Sequence, residues 1–565
     1  MALRLRAGDR GSPGTLGGVP PNRWGRYRQA LGWVLIACLI VGCGGPSQPQ
    51  GSSPPTDRRG SPDPAETADR RSPAGRETSG QAGGSVRRPA TTNGSGGTVG
   101  RPATTNVRRP GTTNAEKPAA DDDPAADGRP EPERVRLLAD LLEVPDGASQ
   151  WVPGLPRIEV DEARAAAAGI RKLQGERLTL YTDLQPDAEI DVLPEVFSQA
   201  FPQWCEYFSI DPADHADWRA TGFLMEDKET FRRAGLVPES LPEFAHGFSW
   251  NYDLWMFEQP TAYYRRHLLL HEGTHSFMNT ILRGCGPPWY MEGTAELLGT
   301  HQWLDGRLTL NVMPPTRDDV PMWGRIKMVQ DAFEAGQALG LRGVIEYRPG
   351  SQFRNEPYAW CWAAAAFLDR HPRYCERFRQ LGRFVLEPDF STRFYGLIGD
   401  DWAGLADEWQ VFVADLEYGY DVARMAVDDF TPGEPLAEAG TRVEVAADRG
   451  WQNSGLRLEA GVAYRVRAVG RYQVADRPQI WWCEPGGVSI RYYKGRPLGM
   501  LLAAVRPDRP EPTGPSPLIR PLAVGLGATL RPEQSGTLFL RINDSAAELD
   551  DNAGTLTAYL RAESG

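Results

Sequence analysis

The 565-residue sequence has few of the features that mark several common classes of protein. It contains 7 cysteines, and none of them has the CxxC spacing of a metal or redox site. The apolar run at residues 31–42 is too short to cross a bilayer comfortably. The formal net charge of −12 argues against nucleic acid as the main partner. With only 7 histidines, a histidine pair at metal-binding spacing is rarely expected by chance.

The first residues predict export from the cytoplasm. Several arginines precede the apolar run 31–42, which has the size of a signal-peptide core. The run ends in Ile40-Val41-Gly42-Cys43, which resembles a bacterial lipobox. We therefore expect a lipoprotein signal peptide over residues 1–42, with lipid attached to Cys43. The alternatives are a plain secretory signal and an uncleaved anchor. The expected location is the bacterial cell envelope, with the membrane reached through the lipid anchor alone.

Residues 43–133 predict a disordered linker. They are rich in Pro, Gly, Ser, Thr and Arg and contain almost no large apolar residues, so burial cannot offset the entropy of ordering them. A short Pro-Thr unit recurs at 87–93, 101–106 and 108–114, and repeats this brief are typical of linkers, not of solenoids. We expect the folded chain to begin near residue 134.

The motif HEGTH at residues 271–275 contains the ingredients of a catalytic metal site. Residues 263–282 have no Pro, one Gly and many apolar side chains, which predicts a helix buried on most of its faces. On such a helix His271 and His275 lie one turn apart on the same face and can bind one metal ion. Glu272 then lies where its carboxylate can act as general base toward water at that metal.

A second helix is expected from residue 288, after a cluster of Gly and Pro, and it carries WYMEGTAE at 289–296. The two motifs together resemble the gluzincin metallopeptidases, and most of all their peptidase-MA-like branch, in which HExxH is followed by W-x-x-E-G-x-A. The resemblance implies a zincin-like metallopeptidase domain over residues 134–430. It also implies that His271, His275 and Glu292 are zinc ligands and that Glu272 is the base. Two histidines and one glutamate are a known ligand set for catalytic zinc.

Further roles follow from the same resemblance. Glu296, one turn beyond Glu292, is expected to orient a histidine from the second shell or, if the helix is rotated, to be the ligand itself. Gluzincins use a Tyr or His from a later element to bind the oxyanion, and Tyr358 is the candidate here. The alternative is a Tyr packed near the start of a buried helix. His267, one turn before His271 on the same face, is expected to be a packed histidine or one that supports a ligand from behind, with a fourth metal ligand as the alternative, and His301 is expected to be structural. The G-x-M-E-N motif of leukotriene-hydrolase-type aminopeptidases is absent upstream, which argues against that type.

The rest of this region predicts helices mixed with short strands, as the resemblance requires. The resemblance also implies an edge strand that binds a peptide backbone by strand addition, and residues 247–250 or a neighbouring segment are the candidates. Helices are predicted at 161–173, 192–208, 323–338, 356–381 and 402–416, and strands at 178–182 and 221–225. The helix at 192–208 is expected to be interrupted, or to begin anew, at Pro202.

Residues 437–563 predict an all-β sandwich of jelly-roll or galactose-binding type, because short strands alternate with Gly and Pro turns. The clearest strands are 441–445, 461–468 and 555–560. Residues 450–456, 536–544 and 550–554 together resemble the calcium-dependent galactose-binding lectins of the PA-I type.

The lectin resemblance implies a second metal site. Asp544, Asp551 and Asn552 fall on the positions that bind Ca²⁺, with the Glu548 carbonyl as a further ligand, and oxygen ligands suit calcium. An acidic turn without metal is the alternative. The lectin's His and Gln are missing from the loop at 490–499, so the sandwich is expected either to bind a glycan or to act as a spacer or protein contact.

The expected fold class is therefore multidomain, with an α+β zincin-like domain followed by an all-β sandwich and preceded by a signal peptide and linker. The leading hypothesis is zinc-dependent hydrolysis of a peptide or protein substrate by a lipid-anchored envelope metallopeptidase, with the sandwich attaching the enzyme to a surface or substrate. The alternative is a non-catalytic adhesion or glycan-binding lipoprotein with a degenerate or structural metal site. A disulfide between Cys361 and Cys375 is left open.

Overall fold

A computed structural model describes residues 157–347, 355–509 and 514–563. All of them lie in one compact unit of the chain. The predicted signal peptide at 1–42, the lipidation of Cys43 and the linker at 43–133 lie outside the described residues. Within the described ranges, no helix is both long and apolar enough to cross a membrane.

Five short strands form the first sheet. They are β1 (Arg171–Gln174), β2 (Leu178–Thr182), β3 (Ala220–Met225), β4 (Gly247–Trp250) and β5 (Asp253–Phe257). Their order is β1-β2-β3-β5-β4, with β2, β3 and β5 parallel and the two edge strands antiparallel to their neighbours. The central strands are buried on both faces, as is usual for parallel strands, while β1 is half exposed.

Helices make up most of the rest of this part of the chain. They are α1 (Glu162–Ala167), α2 (Ala188–Asp191), α3 (Leu193–Phe208), α4 (Lys228–Ala234), α5 (Ala262–Phe277), α6 (Pro288–Gly299), α7 (Arg325–Glu334), α8 (Leu341–Ile345), α9 (Asn355–Arg370), α10 (Cys375–Gln380), α11 (Phe390–Ile398), α12 (Trp402–Asp415) and α13 (Val422–Met425). A hairpin of β6 (His301–Leu304) and β7 (Arg307–Leu310) follows α6. Helix α5 packs against β4 and β5 on one side and α6 on the other, and α9 packs along α6.

Aromatic side chains fill the core around these helices. Trp204, Trp289, Trp323 and Trp360 are each at most 1% exposed. Burying one aromatic side chain of this size removes roughly 150–250 Å² from water. Packing of this kind, more than intrinsic propensity, fixes the positions of α5 and α6.

Four predicted helices differ from the structure in extent, and the one predicted at 323–338 is observed as the shorter α7. The interruption predicted at Pro202 is wrong, because α3 continues through that residue. The prediction at 161–173 is wrong beyond α1, because Gly169 takes a φ of +81° and the chain turns into β1. The helix predicted at 263–282 is observed as α5 followed by a π-helical turn, Met278–Leu282. The prediction at 356–381 divides into α9 and α10, with a break before Cys375.

Strands dominate the C-terminal region. They are β8 (Glu434–Pro435), β9 (Thr441–Ala446), β10 (Gln452–Leu458), β11 (Tyr464–Val469), β12 (Tyr472–Ala475), β13 (Trp481–Cys483), β14 (Val488–Tyr493), β15 (Arg496–Leu498), β16 (Leu501–Pro507), β17 (Leu522–Ala523), β18 (Gly527–Leu530), β19 (Gly536–Ile542) and β20 (Thr555–Ala562). One sheet has the order β17-β16-β19-β10-β8 and another β18-β11-β20-β9. Both sheets contribute to one apolar core. The structure thus has mixed helices and sheets followed by a region of many strands, in agreement with the expected multidomain α+β class.

The strand region and the helices also share buried contacts. Trp451 and Phe539 belong to the same apolar cluster as the helical core. Asp415 at the end of α12 accepts a 2.8 Å hydrogen bond from Arg541 of β19, and the Arg541 guanidinium lies 5.1 Å from the centre of the Trp451 ring. Asp407 of α12 is paired with Arg506 of β16 at 2.6 Å. The predicted boundary between 430 and 437 remains a prediction, and the two sides of it are packed together.

The described cysteines are free thiols, namely Cys205, Cys285, Cys361, Cys375 and Cys483. Cys361 lies buried within α9 and Cys375 begins α10, and they are not joined. The disulfide that the sequence left open is therefore not formed.

Candidate metal centre

Helix α5 places His271, Glu272 and His275 inside the protein, where each is at most 6% exposed. The one-turn spacing brings the Nε2 atoms of the two histidines to 3.1 Å from each other. The helix begins at Thr261, whose hydroxyl accepts a hydrogen bond from the Tyr264 amide. The motif thus lies in the second half of a capped and deeply buried helix.

Helix α6 brings a carboxylate to the same point. Glu292 Oε2 lies 3.4 Å from His271 Nε2 and 3.3 Å from His275 Nε2. Two ligand atoms held tetrahedrally at about 2.0–2.2 Å from a zinc ion are about 3.3–3.6 Å apart. The three donor atoms therefore lie close to the separations that one shared ion requires, and they form a candidate metal-binding group.

Two polar atoms of this group make no hydrogen bond with the described residues. Glu292 Oε2 and His275 Nδ1 are buried and have no hydrogen-bond partner among the described residues. Burial would raise the pKa of Glu292, but His275 and His271 outweigh it and lower that pKa to about 2. Burial likewise opposes the charge on His271, yet the neighbouring Glu292 raises the pKa of His271 to about 9. An ionised carboxylate between two imidazoles has the donor chemistry of a site for a divalent cation such as zinc.

A glycine in each motif allows the helices to approach their neighbours. A Cβ on Gly293 would lie 2.8 Å from the Cys361 carbonyl oxygen of α9. A Cβ on Gly273 would lie 2.6 Å from the Phe197 ring and 2.8 Å from the Trp204 ring of α3. The glycines of HEGTH and WYMEGTAE are therefore needed for packing, which holds the ligand-bearing helices in place.

Glu296 lies behind the candidate ligands. Its Oε1 is 3.5 Å from His271 Nδ1, on the side of the ring opposite to Glu292. Its two oxygens accept hydrogen bonds from Arg325 at 2.8 and 3.0 Å, and Oε2 lies 3.4 Å from His267 Nε2. His267, His271 and Glu296 form a second group of potential ligands. Because the Arg325 guanidinium already neutralises this carboxylate, the arrangement favours a role for Glu296 in orienting His271.

Sequence reasoning missed Arg325. It is 5% exposed and begins α7, 29 residues after Glu296. Burial alone would disfavour its charge, and the contact with Glu296 is what keeps its pKa above the ordinary value. No local pattern marks such a residue, since the pairing depends on how α6 and α7 pack.

Glu272 faces the edge strand of the first sheet. Burial raises its pKa, while His271, His275 and the side chain of Ser249 in β4 act in the opposite direction. A Cβ on Gly247 of β4 would lie 2.5 Å from Glu272 Oε1. The backbone of β4 therefore lies directly against the predicted base, and the absence of a side chain at Gly247 is what leaves room for it.

Exchange of Gly247 for Ala is expected to displace the Glu272 carboxylate and leave the metal ligands in place. For the hydrolytic role that the sequence predicts for Glu272, kcat for peptide hydrolysis is expected to fall by roughly 10- to 100-fold, because a shift of about 1 Å at a catalytic group costs up to that much. The metal content is expected to stay unchanged. The matched control is Gly396→Ala, because a Cβ there meets nothing within 4 Å. Equal activities of the two variants would contradict the assignment.

Tyr358 of α9 lies beside the candidate ligands. Its ring centre is 5.9 Å from that of His271 and 5.8 Å from the Arg325 guanidinium carbon. Burial raises its pKa, with Glu292 and Glu272 contributing in the same direction, so the hydroxyl stays protonated at neutral pH. The hydroxyl has no hydrogen-bond partner within the described part of the chain. Among the described residues, therefore, the protein supplies no acceptor for this hydroxyl, whose ring lies beside the candidate metal group.

Of the predicted calcium ligands, Asp544 and Asn552 are in direct contact. Asn552 Nδ2 donates to Asp544 Oδ2 at 2.9 Å, and burial raises the pKa of Asp544 to about 7 despite this contact. Asp551 Oδ1 and Asn552 Oδ1 are buried and have no partner among the described residues. The Glu548 carbonyl accepts a hydrogen bond from the Asp551 amide at 3.3 Å. The predicted glycan loop at 490–499 forms most of the β14–β15 hairpin, and Ile490 and Tyr492 are exposed there.

Comparison with known proteins adds little to this description. No protein-family model and no curated protein matches the chain. The EclA N-terminal domain, a PllA-like lectin, is 22% identical over 22% of this chain and 100% of its own, with a TM-score of 0.17. The structure of IMPa from Pseudomonas aeruginosa in complex with an O-glycopeptide is 11% identical over 71% of this chain, with a TM-score of 0.15. This chain spans 44% of that IMPa chain. At these TM-scores neither likeness bears on function.

Proposed function

We propose that the chain is a zinc-dependent peptidase of the gluzincin type that hydrolyses a peptide or protein substrate. One observation supports this most strongly. Glu272 is buried next to the three donor atoms of His271, His275 and Glu292 and lies against Gly247 of β4, the edge strand of the first sheet. A structural metal site requires neither a base nor an edge strand beside its ligands.

The proposed chemistry assigns a task to each residue. His271, His275 and Glu292 would hold the ion, which supplies Lewis-acid activation of water and of a carbonyl oxygen. Glu272 takes the proton from the attacking water and returns it to the leaving amine.

Other residues position the substrate and the ligands. Strand β4 would bind the substrate backbone by strand addition, because it is the edge strand of the sheet and its residue Gly247 lies next to Glu272. Tyr358 donates a hydrogen bond to the oxygen on which negative charge develops. Glu296, held by Arg325, keeps His271 in the orientation that directs Nε2 toward the other ligands.

The proposal includes a location. A signal peptide at 1–42 and lipid on Cys43 would place the enzyme at the bacterial cell envelope, where the linker at 43–133 would separate the folded part from the membrane. The strand region at 437–563 would attach the enzyme to a surface or substrate.

A calcium site in the strand region is a second proposal, supported by the two unpartnered buried oxygens of Asp551 and Asn552. Millimolar CaCl₂ is expected to raise the melting temperature of the chain by a few degrees, because a ligand that binds only the native state stabilises it. Asp544→Ala is expected to abolish the shift, while Asp550→Ala, which changes an exposed neighbour outside the set, keeps it. A wild-type melting temperature that ignores calcium would exclude the site.

The competing function is a non-catalytic adhesion or glycan-binding protein with a structural metal. Exchange of Glu272 for Gln separates the two, since it removes the proposed base and leaves the three candidate ligands in place.

A further inference from the structure

A groove on the outer face of one C-terminal sheet is lined by arginines. The groove has a volume of about 1290 Å³ and lies over the sheet β18-β11-β20-β9. Side chains alternate along β11, so that Tyr464, Val466 and Ala468 are buried and the residues between them face outward. The arginines that line it are Arg442, Arg465, Arg467 and Arg561, and we refer to it as the arginine groove.

The strand register concentrates positive charge in this groove. Arg465 lies directly opposite Arg561 on the neighbouring strand. Like charges at directly opposite positions destabilise a sheet, so the Arg465–Arg561 pair is expected to lower the stability of the fold. Tyr559 of β20 lies between the other two arginines, since it pairs with Arg442 on one side and Arg467 on the other.

The acidic side chains nearby neutralise only half of this charge. Glu444 pairs with Arg442, and Glu563 lies 4.0 Å from Arg465. Arg467 and Arg561 have no ion pair or hydrogen bond with any residue that the structure describes. The groove is therefore cationic on a chain whose formal net charge is −12, and an anion is the ligand that removes the repulsion.

The spacing of the arginines favours a chain with repeated anionic groups. Neighbouring strands lie about 5 Å apart and alternate residues of one strand about 7 Å apart, so the four guanidinium groups spread over a distance of roughly 10 Å. Guanidinium groups bind carboxylate and sulfate through paired hydrogen bonds. A single small anion would reach only one or two of them.

The surface between the arginines favours sugar rings. Tyr559 is 45% exposed and presents an apolar ring with a polar edge at the centre of the groove, and Leu526 and Val469 are exposed at its margin. A concave groove encloses a linear chain, whereas a flat bilayer would meet only its rim. Apolar patches between cationic groups match rings that carry acidic substituents at intervals.

We propose that the arginine groove binds a linear acidic polysaccharide, whose carboxylate or sulfate groups pair with Arg465, Arg467 and Arg561 while a sugar ring lies on Tyr559. This site lies outside the candidate metal centre and does not depend on the peptidase proposal.

The test is a binding titration of the purified full chain with polygalacturonate and with dextran sulfate, which carry carboxylate and sulfate groups respectively. Arg467→Gln/Arg561→Gln is expected to weaken binding of at least one of them by about tenfold or more, the effect of losing one or two charge-assisted pairs. Arg477→Gln/Arg520→Gln changes the charge equally at exposed sites outside the groove and is expected to bind as the wild type does. Tyr559→Ala, which leaves the charge unchanged, is also expected to weaken binding.

Two further probes distinguish other anionic surfaces, namely phosphatidylglycerol vesicles and a single-stranded DNA oligonucleotide. The proposal is overturned if neither polysaccharide binds the wild type, or if the groove variant binds as tightly as the control. It is also overturned if only vesicles or DNA bind in a manner that Arg467 and Arg561 control. Melting curves of all variants accompany the titrations, and the groove variant is expected to be no less stable than the wild type, because it removes a like-charge pair.

Discussion

Glu272→Gln is expected to lower kcat for peptide hydrolysis by about 10²–10⁴-fold, the usual contribution of a general base. The exchanged amide keeps the shape of the side chain but cannot accept a proton from water. Because the three candidate ligands are untouched, the variant is expected to retain one zinc per chain. The measurement combines metal analysis with a peptide-library digest that first identifies a substrate for the wild type and then compares turnover.

The control for this exchange is Glu239→Gln, which removes the same charge at an exposed position of the same region. It is expected to leave both turnover and zinc content unchanged. Full activity of Glu272→Gln would remove Glu272 from the mechanism. A wild type that holds zinc but cleaves no member of the library would instead favour the adhesion protein.

Glu292→Gln is expected to weaken zinc binding by more than about 100-fold. The Glu292 Oε2 atom is 3.3–3.4 Å from both histidine Nε2 atoms. The lowered pKa of Glu292 keeps this carboxylate ionised, whereas the amide of Gln carries no charge. Loss of a direct ligand is expected to exceed the roughly 10–100-fold cost of altering a residue that only orients a ligand. Competition titration with a zinc chelator measures the change independently of activity.

Glu296→Gln is the matched comparison, because Glu296 approaches His271 from the opposite side of the ring. The expected order of zinc affinity is wild type, then Glu296→Gln, then Glu292→Gln. The reverse order of the two variants would make Glu296 the ligand and would require α6 to be rotated. Equal affinity of all three proteins would remove α6 from the metal site.

Much of the geometry of the candidate site follows from local sequence rules. The i, i+4 spacing of His271 and His275 places both side chains on one face of a helix, and the Gly and Pro cluster around residue 288 marks the start of the next helix, which does begin at Pro288. The convergence of Glu292 on the histidines was suggested by a family resemblance. Periodicity alone does not fix how one helix packs on another.

These local rules do not identify residues that act on a distant part of the chain. Arg325 and Gly247 reach Glu296 and Glu272 from 29 and 25 positions away in the chain, and their importance depends on packing that no window of sequence contains. The helix predicted at 161–173 failed for a local reason, because an alanine-rich stretch suggested continuation where Gly169 turned the chain. The π-helical turn after α5 similarly has no signal in the spacing of apolar residues.

The buried joint between α12 and the C-terminal strands has a consequence for how such a chain is inherited. Arg541 is 5% exposed and pairs with Asp415, and Trp451 lies in the same cluster as the helical core. Replacing the strand region with another module would leave Asp415 buried without its partner Arg541. Recombination at this border would therefore be selected against, and the two halves would diversify together as one evolutionary unit.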